Sequence, residues 1–182
     1  RRQRQMCIRD RSSNLIIKNL KNFKNYKSIS NQKITSNLFS KKLQKSITQD
    51  LSLNELETYR SDVVVSNATI EHVGSDQEQL QMLKNILKLT KKIFIVVTPN
   101  RLHPIEFHSK IPFIHWLPKK IHRKILSIIG MSYLSKEENM NLLKTSNLVN
   151  FMKNFKNTEY EIKYVKFLMI KSNIILIGRK IN

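Results

Sequence analysis

The sequence predicts an α/β layered fold with a mostly parallel sheet that ends in an antiparallel hairpin. Three observations predict it. The run Asp62-Val63-Val64-Val65-Ser66-Asn67 is β-branched and apolar on both faces, as in a strand buried between helix layers. A second such run, Ile93-Phe94-Ile95-Val96-Val97, follows one amphipathic helical stretch later, so the three make a right-handed βαβ unit. The chain then closes on two strand-like segments, residues 160–169 and 173–177, joined by Ile170-Lys171-Ser172 as a short hairpin.

The remaining elements fall in order around this unit. Residues 1–11 hold five of the nine arginines, and Gln5-Met6-Cys7-Ile8-Arg9-Asp10 matches the translation of a sequencing adapter. They are read as an extraneous segment, with a basic arm as the alternative, and residues 12–182 as the domain. Leu15, Ile16, Leu20 and Phe23 recur at helical spacing over residues 13–24. Residues 33–39 are strand-like, and a short strand at 46–49 closes on Asp50. Ser75 and Glu78 have the spacing of a capping box, opening a helix with Leu80, Leu83, Ile86 and Leu87 on one face. Its end at Lys91-Lys92 suits the helix dipole. Thr98-Pro99-Asn100 stops the next strand, because proline cannot continue the ladder. Residues 101–133 form an insertion with a short apolar-basic helix at 121–129. Ser135 and Glu138 repeat the capping-box spacing before a helical region containing Leu142, Leu143, Leu148, Val149, Met152 and Phe155.

Composition narrows the function. The chain has 182 residues, is 40% hydrophobic and carries a formal charge of +20, which suits one globular domain. No apolar run approaches the roughly 18 residues of a membrane span, and no signal-type segment occurs, so a cytoplasmic protein is expected. One cysteine, Cys7, excludes an internal disulfide or a cysteine zinc site. Lysine outnumbers arginine 24 to 9, with no arginine cluster beyond residue 11 and no aromatic-basic stacking motif. Nucleic acid is therefore not the expected partner.

Open parallel sheets bind ligands beyond the carboxyl ends of their strands, which here means Asn37, Asp50 and Ser66-Asn67-Ala68-Thr69-Ile70-Glu71-His72-Val73. Together with Thr98-Pro99-Asn100-Arg101, Glu106-Phe107-His108 and His115-Trp116-Leu117-Pro118, that last segment resembles the class I S-adenosylmethionine-dependent methyltransferases, in the type 11 branch. The resemblance covers most of residues 12–180 and implies a Rossmann-like sheet, S-adenosyl-L-methionine as cofactor and methyl transfer to oxygen, nitrogen or carbon. It implies that Asp50 meets the adenine amino group, that Asn37 stands where an acid usually holds the ribose, and that Ser66, Asn67 and Ala68 line the cofactor's methionine end. His72, and next His108, are the residues expected to act on the acceptor, with Glu71, His103, His115 and Trp116 binding it. Each has a plainer alternative. Asp50 can cap a helix or turn, Glu71 and His72 can serve only the dipole of a first turn, and the insertion can simply close the core.

The acceptor is expected to be a small molecule, a sugar or a lipid-linked compound. Phe113, Ile114, Trp116 and Leu117 beside Lys119, Lys120, Arg123 and Lys124 leave peripheral contact with an anionic membrane open. No metal site is expected, because no histidines pair at i, i+4 beside an acid. One feature departs from the family. The only glycines are Gly74, Gly130 and Gly178, so the first strand and the glycine-rich loop are expected to be missing and cofactor binding impaired. The rival reading is a non-catalytic Rossmann-like basic module that binds RNA or an anionic membrane. A nicotinamide-dependent oxidoreductase is a weaker rival, since it too needs that loop.

Overall fold

The computed structural model describes residues 5–9 and 25–181. Its strands are β1 (Gln5–Arg9), β2 (Asn25–Ser30), β3 (Lys41–Gln44), β4 (Ser61–Asn67), β5 (Thr90–Pro99), β6 (Thr158–Phe167) and β7 (Ile170–Lys180). The helices are α1 (Leu53–Tyr59), α2 (Asp76–Leu89), α3 (Lys119–Ile128), α4 (Ser132–Ser135) and α5 (Thr145–Met152), with 3-10 turns at Ile70–His72 and Ile114–Trp116. All strands join one sheet in the order β3-β2-β1-β4-β5-β7-β6. Strands β1 to β5 run parallel, and β7 is antiparallel to both β5 and β6. The chain order reverses between β1 and β4, and such a switch point opens a crevice at the carboxyl edge.

The expected βαβ unit is present. Val64 packs into the main core with Phe94, Val96, Ile174 and Leu176, under Met82, Leu83 and Ile86 of α2. Val65 faces the other way, onto Phe39 with Tyr26, Ile34 and Ile95 around it. Burial on both faces is why β4 shows no alternation in sequence. Helix α2 starts where its capping box predicts, with Ser75 Oγ accepting from the Glu78 amide at 3.3 Å and Glu78 Oε2 accepting from the Ser75 amide at 2.8 Å. In β7, Gly178 lies opposite Phe94 of β5, and a Cβ there would sit 2.3 Å from the Phe94 ring. The insertion packs Leu126, Ile114 and Met131 against Leu134, Met140 and Leu142 of the segment that follows it, in a small second core. No helix among the described residues is long and apolar enough to cross a membrane.

Five expectations are corrected. Gln5–Arg9 fills the centre of the sheet, with Cys7 opposite Lys27 of β2 and Val64 of β4, so the first strand is not missing. The strand is built on the short apolar run Met6-Cys7-Ile8, inside the segment read as extraneous. The second strand is Asn25–Ser30, and residues 33–39 form a loop. Its polarity disguised it: Lys27 is buried, and its amine donates to the carbonyls of Thr58 at 2.6 Å and Arg60 at 3.2 Å, at the end of α1. The third strand is Lys41–Gln44, whereas 46–49 is a turn closed by the Gln49 amide on the Ser46 carbonyl. As an edge strand, β3 has little to bury and shows little pattern. Ser135 caps nothing: its hydroxyl donates to Ser132 O, and the next long helix waits until Thr145. The hairpin turns at Leu168-Met169, with φ of 49° and 64°, two residues earlier than expected. The helix expected at 13–24 and the position of the glycine-rich loop lie outside the described residues.

Candidate active site

The carboxyl ends of β4 and β5 carry the site. At the end of β4, Ala68 takes a left-handed φ of 48° while its amide still donates to Val97 O at 2.9 Å. Thr69 Oγ1 donates to Asn67 O at 3.0 Å, and the chain winds into the turn Ile70–His72. Ile70 anchors the turn in the core, and of the next two side chains Glu71 meets Thr98 of β5 while His72 meets His108 of the insertion.

Glu71 is fully buried, and its Oε2 accepts from the Thr98 hydroxyl of β5 at 2.9 Å. His72 Nδ1 lies 2.6 Å from the Asn139 carbonyl, and its Nε2 lies 3.0 Å from Nε2 of His108. The rings meet edge to face at 4.8 Å. His108 is held from behind by Glu106, whose Oε1 is 2.5 Å from His108 Nδ1. Glu106 also accepts from the amides of His108 at 2.7 Å and Ser109 at 2.5 Å. Burial pushes the Glu106 carboxyl up, but the hydrogen bonds from His108 and Ser109 outweigh it and hold the pKa at about 2. The same carboxylate raises the His108 pKa above its ordinary 6.5, against the effect of burial.

The tautomers follow from the partners. A carbonyl and a carboxylate only accept, so both Nδ1 atoms carry hydrogen. Each neutral ring therefore turns an Nε2 lone pair toward the other at 3.0 Å. Two lone pairs cannot share that distance without positive charge between them, whether a second proton or a cation.

A strap from 139 to 141 fixes the turn on its open side. The Asn141 amide donates to Glu71 O at 2.7 Å, and its side chain to Gly74 O and Asp76 Oδ1, both at 2.9 Å. Gln79 of α2 closes the strap by donating to Asn141 O at 2.7 Å.

The structure thus brings His72, His108 and Glu71 together. Ser66 is buried at the end of β4, and its hydroxyl has no hydrogen bond among the described residues. Asp50 is exposed on the loop after β3 and accepts from Gln81 Nε2 at 2.9 Å. Asn37 is exposed in the loop between β2 and β3, several residues past the end of β2. His103 and His115, expected to bind the acceptor, are instead internal braces. His103 is 3% exposed, stacked on Phe107 and bonded through Nδ1 to the Ile105 backbone; His115 is 1% exposed and donates through Nε2 to His103 O at 2.7 Å. Arg101 completes this frame, donating to His115 O at 2.9 Å and Leu117 O at 2.8 Å. Trp116 is half exposed, edge-on to Phe113.

Asn139 and Asn141 were not singled out from the sequence, and Thr98 and Glu106 entered its reading only inside the motifs Thr98-Pro99-Asn100-Arg101 and Glu106-Phe107-His108, with no site role of their own. Only Glu106 left a signal there, as a carboxylate two residues before His108 in a chain with 13 acidic residues. The other three act through contacts far apart in the chain.

No family model matches this sequence, and no curated protein matches it. Solved structures do share its fold. Magnesium protoporphyrin IX methyltransferase (ChlM) from Synechocystis PCC 6803, with bound SAH, is similar over 98% of this chain and 74% of its own, at 8% identity and a TM-score of 0.57. The 1,6-didemethyltoxoflavin-N1-methyltransferase of Burkholderia thailandensis, with bound 1,6-didemethyltoxoflavin and S-adenosylhomocysteine, is similar over 100% and 72%, at 9% identity and a TM-score of 0.59. A putative Zn-dependent alcohol dehydrogenase from Rhodobacter sphaeroides is similar over 98% and 84%, at 9% identity and a TM-score of 0.62. Identities this low establish the shared fold, and a fold hosts more than one chemistry.

Proposed function

We propose that the chain is an S-adenosylmethionine-dependent methyltransferase acting on a small-molecule, sugar or lipid-linked acceptor. The observation that carries this reading is the meeting of His72 and His108 at the carboxyl edge of β4 and β5, backed by two buried carboxylates. Its fold is shared with methyltransferases solved with SAM or SAH bound, which supports S-adenosyl-L-methionine as the cofactor.

When bound, S-adenosyl-L-methionine would supply an electrophilic sulfonium methyl group for transfer to the acceptor. The protein's own residues position the partners. Asp50 would accept from the adenine amino group, and Asn37, from the loop between β2 and β3, would offer a neutral hydrogen bond to the ribose. Ser66, Asn67 and Ala68 border the methionine end, where the Ser66 hydroxyl has a bond to give. His72 and His108 orient the acceptor's nucleophilic atom and favour its deprotonated form, while Glu71 and Trp116 border the acceptor. Residues 10–24 contain no glycine, so the close backbone approach of a glycine-rich loop is not encoded there and cofactor binding is weak.

Titration calorimetry with S-adenosylhomocysteine tests this. The full chain should bind it saturably, and Asp50→Ala should weaken binding by about 2- to 10-fold, the worth of one hydrogen bond. His72→Ala should leave that affinity within about twofold, since it acts on the acceptor side. A chain that binds no S-adenosylhomocysteine, yet binds RNA or anionic vesicles with a steep loss as salt rises, would instead be the basic binding module.

A further inference from the structure

We infer that Glu71, His72 and His108 form a site for a divalent first-row transition cation, between the turn after β4 and the insertion after β5. One ligand atom from each of the three lies within 4.8 Å of the others. The two imidazoles are already set as ligands, because both Nδ1 atoms donate outward and both Nε2 lone pairs point at the same space from 3.0 Å apart. An ion about 2.1 Å from each nitrogen would see them at roughly 90°, adjacent positions of an octahedron. Glu71 Oε1 lies 4.0 Å from His72 Nε2, so a small rotation of the carboxylate completes a facial set.

The outer contacts support the same assignment. Ligating histidines usually donate their second nitrogen to a carboxylate or a backbone carbonyl, which fixes tautomer and direction. Glu106 does this for His108 and Asn139 O for His72, while the Thr98 hydroxyl fixes the other oxygen of Glu71. The charges of Glu71 and Glu106 together match a dication. A cation there also relieves the facing lone pairs. The inference goes against the sequence reading of no metal, since the ligands come from two segments and no single helix. It stands apart from the methyl-transfer reading, because the geometry holds whatever the reaction.

Co²⁺ is the probe. Added to the full chain after treatment with a chelator, it should bind one to one by calorimetry and give visible d–d absorption. His108→Ala should lower the affinity at least tenfold, and Glu106→Gln about 10- to 100-fold through the outer contact alone. His122→Leu, elsewhere in the insertion, should leave it unchanged. Circular dichroism of each variant guards against simple unfolding, and paramagnetic shifts of the His72 and His108 ring protons in the unaltered chain test the site without any substitution. No saturable Co²⁺ binding by the unaltered chain, or binding that survives His108→Ala, overturns the inference. Titration of S-adenosylhomocysteine on the same samples reports separately on the methyltransferase reading.

Discussion

Replacing Gly178 with alanine places a methyl group 2.3 Å and 2.4 Å from two ring carbons of Phe94, which is itself fully buried. Carbon atoms in contact settle about 3.5–4.0 Å apart, so the ring must retreat by more than about 1 Å. The new methyl cannot retreat freely either, because the Glu159 carbonyl stands 3.2 Å away. Overpacking of this kind costs about 1–3 kcal/mol, and two close contacts on a rigid ring favour the upper half of that range. For a domain of this size the cost corresponds to a fall in Tm of about 5–10 °C. Phe94→Leu removes the obstructing ring atoms, so the double variant should be less destabilised than the sum of the two singles by at least about 1 kcal/mol. Urea denaturation of all four proteins measures this. A neutral Gly178→Ala, or additivity within about 0.5 kcal/mol, would refute the register that sets Phe94 against Gly178.

Two further outcomes are expected. Burial, with the nearby His115 and Arg101 charges, lowers the His122 pKa from its ordinary 6.5 to about 4. The unfolded chain therefore takes up that proton first as pH falls, and stability that is full above about 6.5 is lost toward 4, by up to about 3 kcal/mol. Thermal melts at pH 7.5 and 5 should show this loss in the unaltered chain and a smaller one in His122→Leu; equal losses would contradict the assignment. At the hairpin, Leu168 and Met169 hold left-handed φ angles of 49° and 64° while largely exposed. Leu168→Asn with Met169→Gly should raise stability by about 1–2 kcal/mol, since those residues suit a type I′ turn. An unchanged or lowered melting temperature would mean that the turn is set differently.

Strand β4, helix α2 and strand β5 were legible in the sequence because their side chains obey burial: valines on both faces, a capping box, then an apolar run ended by Pro99. Strand β2 was not, because Lys27 is buried by hydrogen bonds to Thr58 and Arg60, which no periodicity reports. The turn at Leu168-Met169 gave no warning, since neither residue is one that ordinarily favours positive φ. At the site, Glu71-His72 and Glu106-Phe107-His108 stood out as separate motifs. Their meeting depends on how the insertion folds back over the end of β4, and the strap through Asn139 and Asn141 that enforces it comes from a third segment. His103 and His115 drew attention as polar residues in an insertion. Their bonds to backbone atoms within that insertion, and hence their burial, become visible only in the folded chain.

The most direct test of the methyltransferase reading is a titration of the ¹⁵N-labelled chain with S-adenosylhomocysteine, followed by its amide resonances. Saturable shifts are expected, concentrated at Asp50 and at Ser66, Asn67 and Ala68, at the carboxyl edge of the sheet. Shifts confined to the basic face of α3, or no shifts at millimolar ligand, would contradict it.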